Sequence, residues 1–234
     1  MISVVIPAYN EMESIRPLVD ELLEVMHTLG SEFEILFVDD GSTDGTRQVM
    51  RQLAAENREV RFIGFKRNCG QTSAMAAGFK NARGDIIVTL DADMQNDPHD
   101  IPRLLEKLNT CDVVCGWRRK RNDNLVRRVS SRVANFVRNK LSNEQILDVG
   151  CSLKVYKRQC VEDLKLFEGM HRFLPTLVKL AGYTVAEVPV NHRPRKFGAS
   201  KYNIRSRIVK AFFDLLAVRW MKKRYFRYEI EEER

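Results

Sequence analysis

An acidic stretch near the middle of the chain has the residue types of a metal site. Residues 91–98 read Asp-Ala-Asp-Met-Gln-Asn-Asp-Pro and directly follow an apolar run that predicts a buried strand. If the chain stays extended beyond this strand, Asp91, Asp93 and Gln95 occupy alternate positions and project the same way. Mg²⁺ and Mn²⁺ favour such oxygen ligands, and Mg²⁺ is typically held by one or two carboxylates together with substrate phosphates. The stretch therefore predicts a divalent metal site; the alternative is an Asx-rich turn that caps a helix opened by Pro98.

The segments that must position these side chains alternate between strand and helix patterns. Segments with apolar residues at helical spacing lie between successive β-branched or apolar runs, as in βαβ units. This alternation predicts a parallel sheet covered by helices on both faces. Open sheets of this kind bind ligands at the carboxyl ends of their strands. We therefore expect the polar loops after the first two strands to lie beside the acidic stretch. The predicted strands are 2–6, 33–38, 60–65, 86–90 and a fifth ending near Trp117.

The common glycine-rich nucleotide motifs are absent from this sequence. No Gly-x-Gly-x-x-Gly follows a predicted strand, and no Gly-x-x-x-x-Gly-Lys-Ser/Thr occurs anywhere in the chain. Any nucleotide recognition is then expected to use acidic and aromatic groups.

Positive charge is concentrated in a few segments. The formal net charge is +8 over 234 residues, and residues 118–140 contain nine Lys or Arg against one acid, Asp123. Two further basic clusters lie at 193–201 and 219–227. Such patches predict anionic partners, namely phosphates, nucleic acid or a lipid surface.

Cysteine usage and hydropathy predict a cytoplasmic protein without a membrane span. The five cysteines form no Cys-x-x-Cys pair, and the first residues already read as a strand, which leaves no signal peptide. No run approaches the roughly 18–20 apolar residues that a spanning helix needs.

Several motifs resemble family 2 glycosyltransferases with the GT-A fold. The early motifs are Val-Ile-Pro-Ala-Tyr-Asn-Glu at 5–11, Val-Asp-Asp-Gly-Ser-Thr-Asp at 38–44, and the aspartates at 91 and 93. The segments 91–95, 148–152 and 192–202 resemble the polyprenyl-phosphate branch, which includes dolichyl-phosphate mannose synthases and bacterial undecaprenyl-phosphate relatives. The resemblance covers about residues 2 to 202. It implies an α/β, Rossmann-like, mostly parallel sheet between helices. The catalytic domain would be 1–202, and 203–234 a basic amphipathic helix.

The resemblance also implies roles on the donor side. Asp39 would accept a hydrogen bond from the base, whereas Asp40 is expected to hold the turn or cap the next helix. Asp91, Asp93 and Gln95 would hold the Mg²⁺ or Mn²⁺ that bridges the donor diphosphate. A flexible loop would close over diphosphate and sugar. The nucleotide-contacting residues would be Pro7, Ala8, Tyr9 and Glu11, and the loop residues Arg195, Ser200 and Lys201.

On the acceptor side, the resemblance assigns arginines to the lipid phosphate. Arg118 matches the family pattern, and Arg127 matches with a one-residue ambiguity against Arg128. A phosphate monoester has a second pKa of about 6, so it is already an anionic nucleophile at neutral pH and needs no general base. A sugar-hydroxyl acceptor would instead need a carboxylate base. The pair Glu162-Asp163 is one candidate, although its position in a predicted helix favours a surface pair.

These observations predict a metal-dependent, inverting sugar transfer to a polyprenyl phosphate. The donor would be GDP-mannose or a UDP-sugar, with mannose favoured, and the lipid dolichyl or undecaprenyl phosphate. The first alternative is a family 2 enzyme with a sugar-hydroxyl acceptor. The second, from a different class, is a basic module that binds nucleic acid or acidic surfaces. Acidic clusters after three predicted strands argue against it, so no specific nucleic-acid partner is expected.

The tail combines apolar, aromatic and basic residues. One helix side is predicted to carry Ile208, Phe212, Leu215, Leu216 and Trp220. This pattern is typical of a helix on an anionic bilayer, and docking on the core is the compatible alternative. We expect the protein to lie on the cytoplasmic face of a membrane, either peripherally or through a separate membrane-protein partner.

Overall fold

Seven strands form a single sheet in the computed structural model, which describes residues 1–118, 146–197 and 204–225, with only the backbone described for 204–212. The strands are β1 Ile2–Ala8, β2 Phe33–Asp39, β3 Val60–Gly64, β4 Ile86–Thr89, β5 Val113–Arg118, β6 Lys154–Lys157 and β7 Val185–Val190. Their order is β3-β2-β1-β4-β6-β5-β7. Among these described strands only β6 runs antiparallel to its neighbours. The predicted mostly parallel sheet is thus confirmed.

Helices cover both faces of this sheet. They are α1 Met12–Thr28, α2 Thr46–Glu56, α3 Gln71–Asn81, α4 Ile101–Leu108, α5 Leu174–Leu180 and α6 Ile204–Arg224. Side chains alternate along β1, so Val4 and Ile6 pack in one cluster with α1, α2 and α4, while Val5 packs in another with α3 and α5. On the second face, α3 lies so close to β1 that a Cβ on Gly78 would be 2.2 Å from a methyl group of Val5. Because β1 is buried on both faces, its sequence is a continuous run of mostly apolar, β-branched residues and does not alternate with polar ones.

Element boundaries differ slightly from the prediction. β1 was expected to end at Ile6, but it continues through Pro7 because the register pairs Pro7 with Val38 and Ala8 with Asp39 on β2. Pro98 opens a short 3₁₀ turn, as expected of a helix start, and α4 begins at Ile101.

The sheet topology brings the predicted polar clusters to one edge. β1, β2, β4, β5 and β7 are parallel, so their carboxyl ends lie together. β6 is antiparallel and begins at this same edge, which also places segment 148–152 there. We call this edge of the sheet, where β6 begins and its neighbouring strands end, the carboxyl edge.

The opposite edge contains the pair Glu162 and Asp163. They were predicted to lie in a helix, and this is wrong: a 3₁₀ turn, Arg158–Cys160, is followed by an irregular turn at 161–163. The reason is that β6 ends at Lys157, which pairs with Ile86 at the start of β4, so the chain reverses at the sheet's far edge.

Helix α6 docks on the core through part of the predicted apolar side. Leu215 and Val218 are buried in a cluster with residues 170, 173 and 177, whereas Leu216 and Trp220 are 40% and 64% exposed. Docking thus buries only part of the predicted apolar side, because Leu215 and Leu216 point about 100° apart on a helix. A docked part and an exposed part coexist, as the compatible readings of the sequence allow. In the described part of the chain, every helix is too short or too polar to cross a bilayer.

Candidate active site

The acidic stretch after β4 forms a turn. Met94 has a φ of 59°, a left-handed conformation that is uncommon outside glycine. The Asp93 carboxylate stabilises the turn, since its Oδ1 accepts a hydrogen bond from the Gln95 amide at 3.1 Å. The expectation of an extended chain with alternating side chains is thus wrong. The turn itself, and not strand alternation, brings Asp91 and Asp93 together.

Asp91 lies where three elements meet. Its Oδ1 accepts a hydrogen bond from Gln71 Nε2, at the start of α3, at 2.9 Å. Burial, followed by repulsion from Asp93, raises the pKa of the Asp91 carboxyl, while the charges of Lys154 and Arg118 act to lower it. Two carboxylates whose charges repel each other favour a cation between or beside them.

A cationic side chain already contacts Asp93, one member of this acidic pair. Arg195 Nη2 donates to Asp93 Oδ2 at 2.7 Å, and Arg195 Nη1 lies 3.6 Å from Glu11 Oε1. The structure therefore brings together three residues that the sequence analysis assigned to the donor site.

The donor set fits Mg²⁺ or Mn²⁺. Asp91 and Asp93 supply hard oxygen ligands, and the guanidinium on Asp93 shows that the carboxylates accept a positive partner. The Gln95 side chain contacts a different group: its Nε2 lies 3.5 Å from the backbone oxygen of Arg193. Its role as a metal ligand stays a prediction.

The loop after β1 is tied to the loop after β2. The Asn10 amide, at a φ of 52°, donates to Ser42 Oγ at 2.9 Å, and the Glu11 amide donates to Thr46 Oγ1 at 2.8 Å. Gly45 occupies the N-cap position of α2, and the Asp44 carboxylate accepts from the Thr46 amide at 2.9 Å. The hydroxyls of Ser42 and Thr46 fix the predicted nucleotide loop, which includes Pro7, Ala8 and Tyr9.

Asp39 is fully buried and paired with an arginine. Its Oδ1 accepts from the Ser42 amide at 2.9 Å, and its Oδ2 accepts from Arg47 Nε at 2.5 Å. Arg47 also donates to the backbone oxygen of Phe65. Arg47 was not among the predicted residues, although its place in the first turn of α2, directly after the Asp39 loop, was a usable signal. Hydrogen bonding of Asp39 to a base stays a prediction.

Asp40 has a structural role at the neighbouring loop. Its carboxylate accepts from the amides of Cys69 and Gly70 at 2.7 and 2.9 Å, just before α3. Gly41 follows with a φ of +73°, and a Cβ there would lie 2.3 Å from the carbonyl carbon of Arg67. Asp40 therefore connects two loops and does not cap the helix that follows it.

Arg118 ends β5 in a bidentate ion pair. Its Nε and Nη2 donate to Oδ2 and Oδ1 of Asp148 at 2.7 and 2.9 Å, and its backbone amide lies 3.2 Å from the same Oδ2. Gly150 permits this packing, since a Cβ there would lie 3.0 Å from Arg118 Nη2. Glu187 on β7 accepts from the Leu147 amide at 2.9 Å and so fixes the segment that carries Asp148. The predicted partners Arg127 and Arg128 lie outside the described residues.

Arg193 fixes the start of the predicted loop. Its guanidinium donates to both oxygens of Glu21 at 2.9 and 2.6 Å and to Asp97 Oδ1 at 2.6 Å. Its amide donates to the Gln95 carbonyl at 2.9 Å. Carboxylates of Glu21 and Asp97 and the His99 ring place ligand atoms within 4.8 Å of one another, but Arg193 supplies the positive charge there. In the sequence this arginine is only one member of the basic cluster at 193–201.

The remaining predicted residues are two loop residues and the pair that could serve as an acceptor base. Ser200 and Lys201 lie outside the described residues. Glu162 lines a cavity at the opposite edge with Asp85 and Leu108. The described part of the site thus comprises carboxylates at the ends of β1 and β4, with Arg118 and Arg195 beside them.

Comparison with known proteins identifies sequence relatives. Residues 3–165 match the family model described as Glycosyl transferase family 2. Over 223 residues the chain is 39% identical to dodecaprenyl-phosphate galacturonate synthase from Rhizobium johnstonii, a match that covers 93% of this chain and 66% of that protein. The chain therefore spans slightly less than two thirds of that relative's length.

Solved structures with the same fold include two nucleotide-bound glycosyltransferases. Glucosyl-3-phosphoglycerate synthase from Mycobacterium tuberculosis, in complex with Mn²⁺, UDP and phosphoglyceric acid, matches with a TM-score of 0.72 and 22% identity, over 95% of this chain and 78% of that one. A mannosyltransferase from Pyrobaculum calidifontis, in complex with GDP-Man and Mn²⁺, matches with a TM-score of 0.68 and 21% identity, over 97% and 65%. These likenesses confirm the predicted fold.

Proposed function

Because the chain belongs to glycosyl transferase family 2, we propose that it transfers a sugar from a nucleoside-diphosphate sugar to the phosphate of a polyprenyl lipid. The observation that carries this proposal is the position of Arg118. It is held by Asp148 at the carboxyl end of β5, and β6 separates β5 from β4, the strand that Asp91 follows. A planar guanidinium that is suited to phosphate therefore lies at the same edge of the sheet as the carboxylates that fit a metal ion. The name of the Rhizobium relative, which includes a polyprenyl phosphate, supports the same acceptor class.

The donor would bind across the loops after β1, β2 and β4. Asp91 and Asp93 would hold Mg²⁺ or Mn²⁺, and a bound divalent ion supplies Lewis-acid stabilisation of the leaving diphosphate. Glu11 and Tyr9, fixed by the bonds to the second loop, would contact the nucleoside. Arg195, with Ser200 and Lys201 beyond it, would cover the diphosphate and exclude water that could hydrolyse the donor.

The reaction on the acceptor side would need no general base. The lipid phosphate is anionic at neutral pH because its second pKa is about 6. Arg118 and Arg127 would align a phosphate oxygen with the anomeric carbon. The new bond from that oxygen to the anomeric carbon forms as the bond to the diphosphate oxygen breaks, and the electron pair leaves with the nucleoside diphosphate. A single displacement of this kind inverts the anomeric configuration.

The position of Glu162 and Asp163 argues against the hydroxyl-acceptor alternative. A base must lie within hydrogen-bond reach of the proton that it removes. These two carboxylates follow β6 at the amino edge of the sheet, whereas Asp91 and Arg118 lie at the carboxyl edge. A phosphate acceptor, which requires no such base, agrees better with this arrangement.

Two sugars are the first to test. Mannose is favoured by the resemblance to dolichyl-phosphate mannose synthases and stays a prediction. Galacturonate is the sugar in the name of the Rhizobium relative. We include both because the described residues that would bind the nucleotide, Asp39 and Glu11, are acceptors for base or ribose and select no sugar.

The lipid acceptor places the reaction at a membrane surface, where α6 supplies a suitable face. Phe213 and Trp220 are each 64% exposed, and the exposed Lys223 and Arg224 follow on the next turn. Aromatic side chains with adjacent cations favour the interface of an anionic bilayer. We propose that this face binds the cytoplasmic leaflet.

The deciding experiment measures nucleotide release. Purified protein is incubated with Mn²⁺ or Mg²⁺ and a panel that includes GDP-mannose and UDP-galacturonate, with and without a short polyprenyl phosphate. We expect nucleoside diphosphate only when the lipid phosphate is present, and its loss in Asp93→Asn and Arg118→Ala. The matched controls are Asp85→Asn, an exposed aspartate just before β4, and Arg16→Gln, in an exposed pair with Glu56.

Two outcomes would contradict the proposal. Nucleotide release that does not depend on the lipid phosphate but increases with a sugar acceptor would mean that the acceptor is a sugar hydroxyl. Equal release of nucleoside diphosphate by wild type and Arg118→Ala at limiting lipid would mean that Arg118 does not bind the acceptor phosphate.

A further inference from the structure

The guanidinium of Arg195 lies on carboxylates that the donor site needs. It donates to Asp93 Oδ2 at 2.7 Å and lies 3.6 Å from Glu11 Oε1. All three side chains are largely covered, with exposures of 26% for Arg195, 11% for Asp93 and 12% for Glu11. Low exposure strengthens the attraction between these charges compared with a pair in bulk water.

The same carboxylate oxygen cannot serve Arg195 and a divalent ion equally well. Asp93 has two oxygens, and Oδ1 already accepts the Gln95 amide at 3.1 Å. A Mg²⁺ ligand oxygen lies about 2.0–2.1 Å from the ion. A metal ion at Oδ2 would therefore crowd a guanidinium bonded to that atom, and two positive charges at this distance repel each other.

The chain next to Arg195 is anchored on its amino-terminal side. Arg193 is bound to both oxygens of Glu21 and to Asp97, and its amide is bound to the Gln95 carbonyl. One residue earlier, His192 forms an isolated bridge with Asn96. A movement of Arg195 would thus pivot on a fixed point two residues away. The anchor itself rests on the loop that carries Asp93.

We propose that Arg195 is an exchangeable counter-cation of Asp93, with Arg193 as its pivot. When a divalent ion binds to Asp93 together with a nucleoside diphosphate, Arg195 releases the carboxylate and transfers its hydrogen bonds to the diphosphate. This inference rests on the proposed function, since it assumes a diphosphate donor. It has a direct consequence: Arg195 opposes the bare ion but favours the ion–diphosphate complex.

The test is a titration with Mn²⁺ followed by electron paramagnetic resonance, at constant ionic strength. Wild type, Arg195→Gln and Arg16→Gln are compared, each with Mn²⁺ alone and with Mn²⁺ plus UDP or GDP. We expect Arg195→Gln to bind bare Mn²⁺ about tenfold more tightly and the Mn²⁺–nucleotide complex about tenfold more weakly, each about 1.4 kcal/mol. Arg16→Gln removes the same charge from an exposed pair and should match wild type in both titrations.

Two conservative variants separate charge from geometry. Arg195→Lys keeps the charge without the planar fork, so its affinities should lie between those of wild type and Arg195→Gln. Arg193→Lys also keeps the charge but loses the double contact with Glu21. We expect it to shift both affinities in the direction of Arg195→Gln, to a smaller extent. If Arg193→Lys has the same affinities as wild type for bare Mn²⁺ and for the Mn²⁺–nucleotide complex, Arg193 is not the pivot.

The remaining outcomes are equally decisive. If Arg195→Gln binds bare Mn²⁺ no more tightly than wild type, the exchange is refuted. If it binds both forms more tightly by one factor, Arg195 only repels the metal and its transfer to diphosphate is refuted. These titrations contain no lipid, so a protein with the expected reversal and no transfer to polyprenyl phosphate would refute the proposed function alone.

Discussion

Replacing Asp148 by Asn should impair the acceptor side of the reaction specifically. The Asp148 carboxylate accepts hydrogen bonds from Nε and Nη2 of Arg118 at 2.7 and 2.9 Å and from the Arg118 amide at 3.2 Å. An Asn side chain keeps the shape and one acceptor oxygen. Its NH₂ group, however, would meet a guanidinium N–H, so at least one donor loses its partner and Arg118 loses its fixed orientation.

The size of the effect follows from the burial of this pair. The side chains of Arg118 and Asp148 are 15% and 8% exposed. Removal of one member of a buried pair costs about 3–5 kcal/mol, and a hydrogen bond to a charged group contributes about 1.5–3 kcal/mol. Because Asn retains part of the contact, we expect a loss of about 2–3 kcal/mol in the free energy of unfolding. We expect the KM for the lipid phosphate to rise about tenfold, or about 1.4 kcal/mol.

Two assays separate the functional effect from the structural one. Initial rates are measured while a short polyprenyl phosphate is varied at saturating donor, and then while the donor is varied at saturating lipid. Urea unfolding gives the stability. Asp112→Asn is the matched control, because Asp112 lies at the other end of β5 and its carboxylate accepts from Lys157 Nζ at 2.9 Å and Thr184 Oγ1 at 2.7 Å.

The control should lose stability without any change in KM. Asp148→Asn should raise the KM for the lipid and leave the KM for the donor unchanged. The reasoning is refuted if the lipid KM of Asp148→Asn equals that of wild type, or if Asp112→Asn raises it to the same extent.

Further predictions concern stability, acid sensitivity and membrane binding. Hydrogen bonds, first from Thr184 and then from Lys157, lower the pKa of Asp112 to about 2; its stabilisation is complete above about pH 4 and is lost as the pH falls toward 2, so urea unfolding of Asp112→Asn should vary less over that interval than wild type. Glu34→Gln should lower the free energy of unfolding in urea by about 2–3 kcal/mol, since this buried carboxylate accepts hydrogen bonds from three donors; a smaller loss than that of the surface variant Glu56→Gln would contradict the argument. Gly169→Ala should lower Tm, because φ is +85° and the new Cβ would lie 2.2 Å from a carboxylate oxygen of α6, whereas an unchanged Tm would mean that α6 is not docked as described. Trp220→Ser should weaken sedimentation with phosphatidylserine vesicles and leave stability unchanged, and equal sedimentation of both proteins would remove α6 from the membrane contact.

Much of the fold follows from local patterns in the sequence. β-branched runs separated by helical spacing predict parallel strands, and the carboxyl ends of parallel strands share one edge. That rule alone places the loop at Glu11, the loop at Asp39 and the acidic stretch side by side. Local patterns failed where the chain departs from regular geometry, as at the left-handed Met94 turn and at the antiparallel β6.

The sequence by itself determined which groups lie at the active edge, because strand patterns and polar loops act over a few neighbouring residues. Only the tertiary structure decided which charges pair with one another. Arg118 pairs with a carboxylate 30 residues away, Arg195 with one 102 residues away, and Arg193 with one 172 residues away. In the sequence these arginines belong to basic clusters that resemble solvated patches. Their partners depend on how distant segments approach in space, which no local pattern encodes.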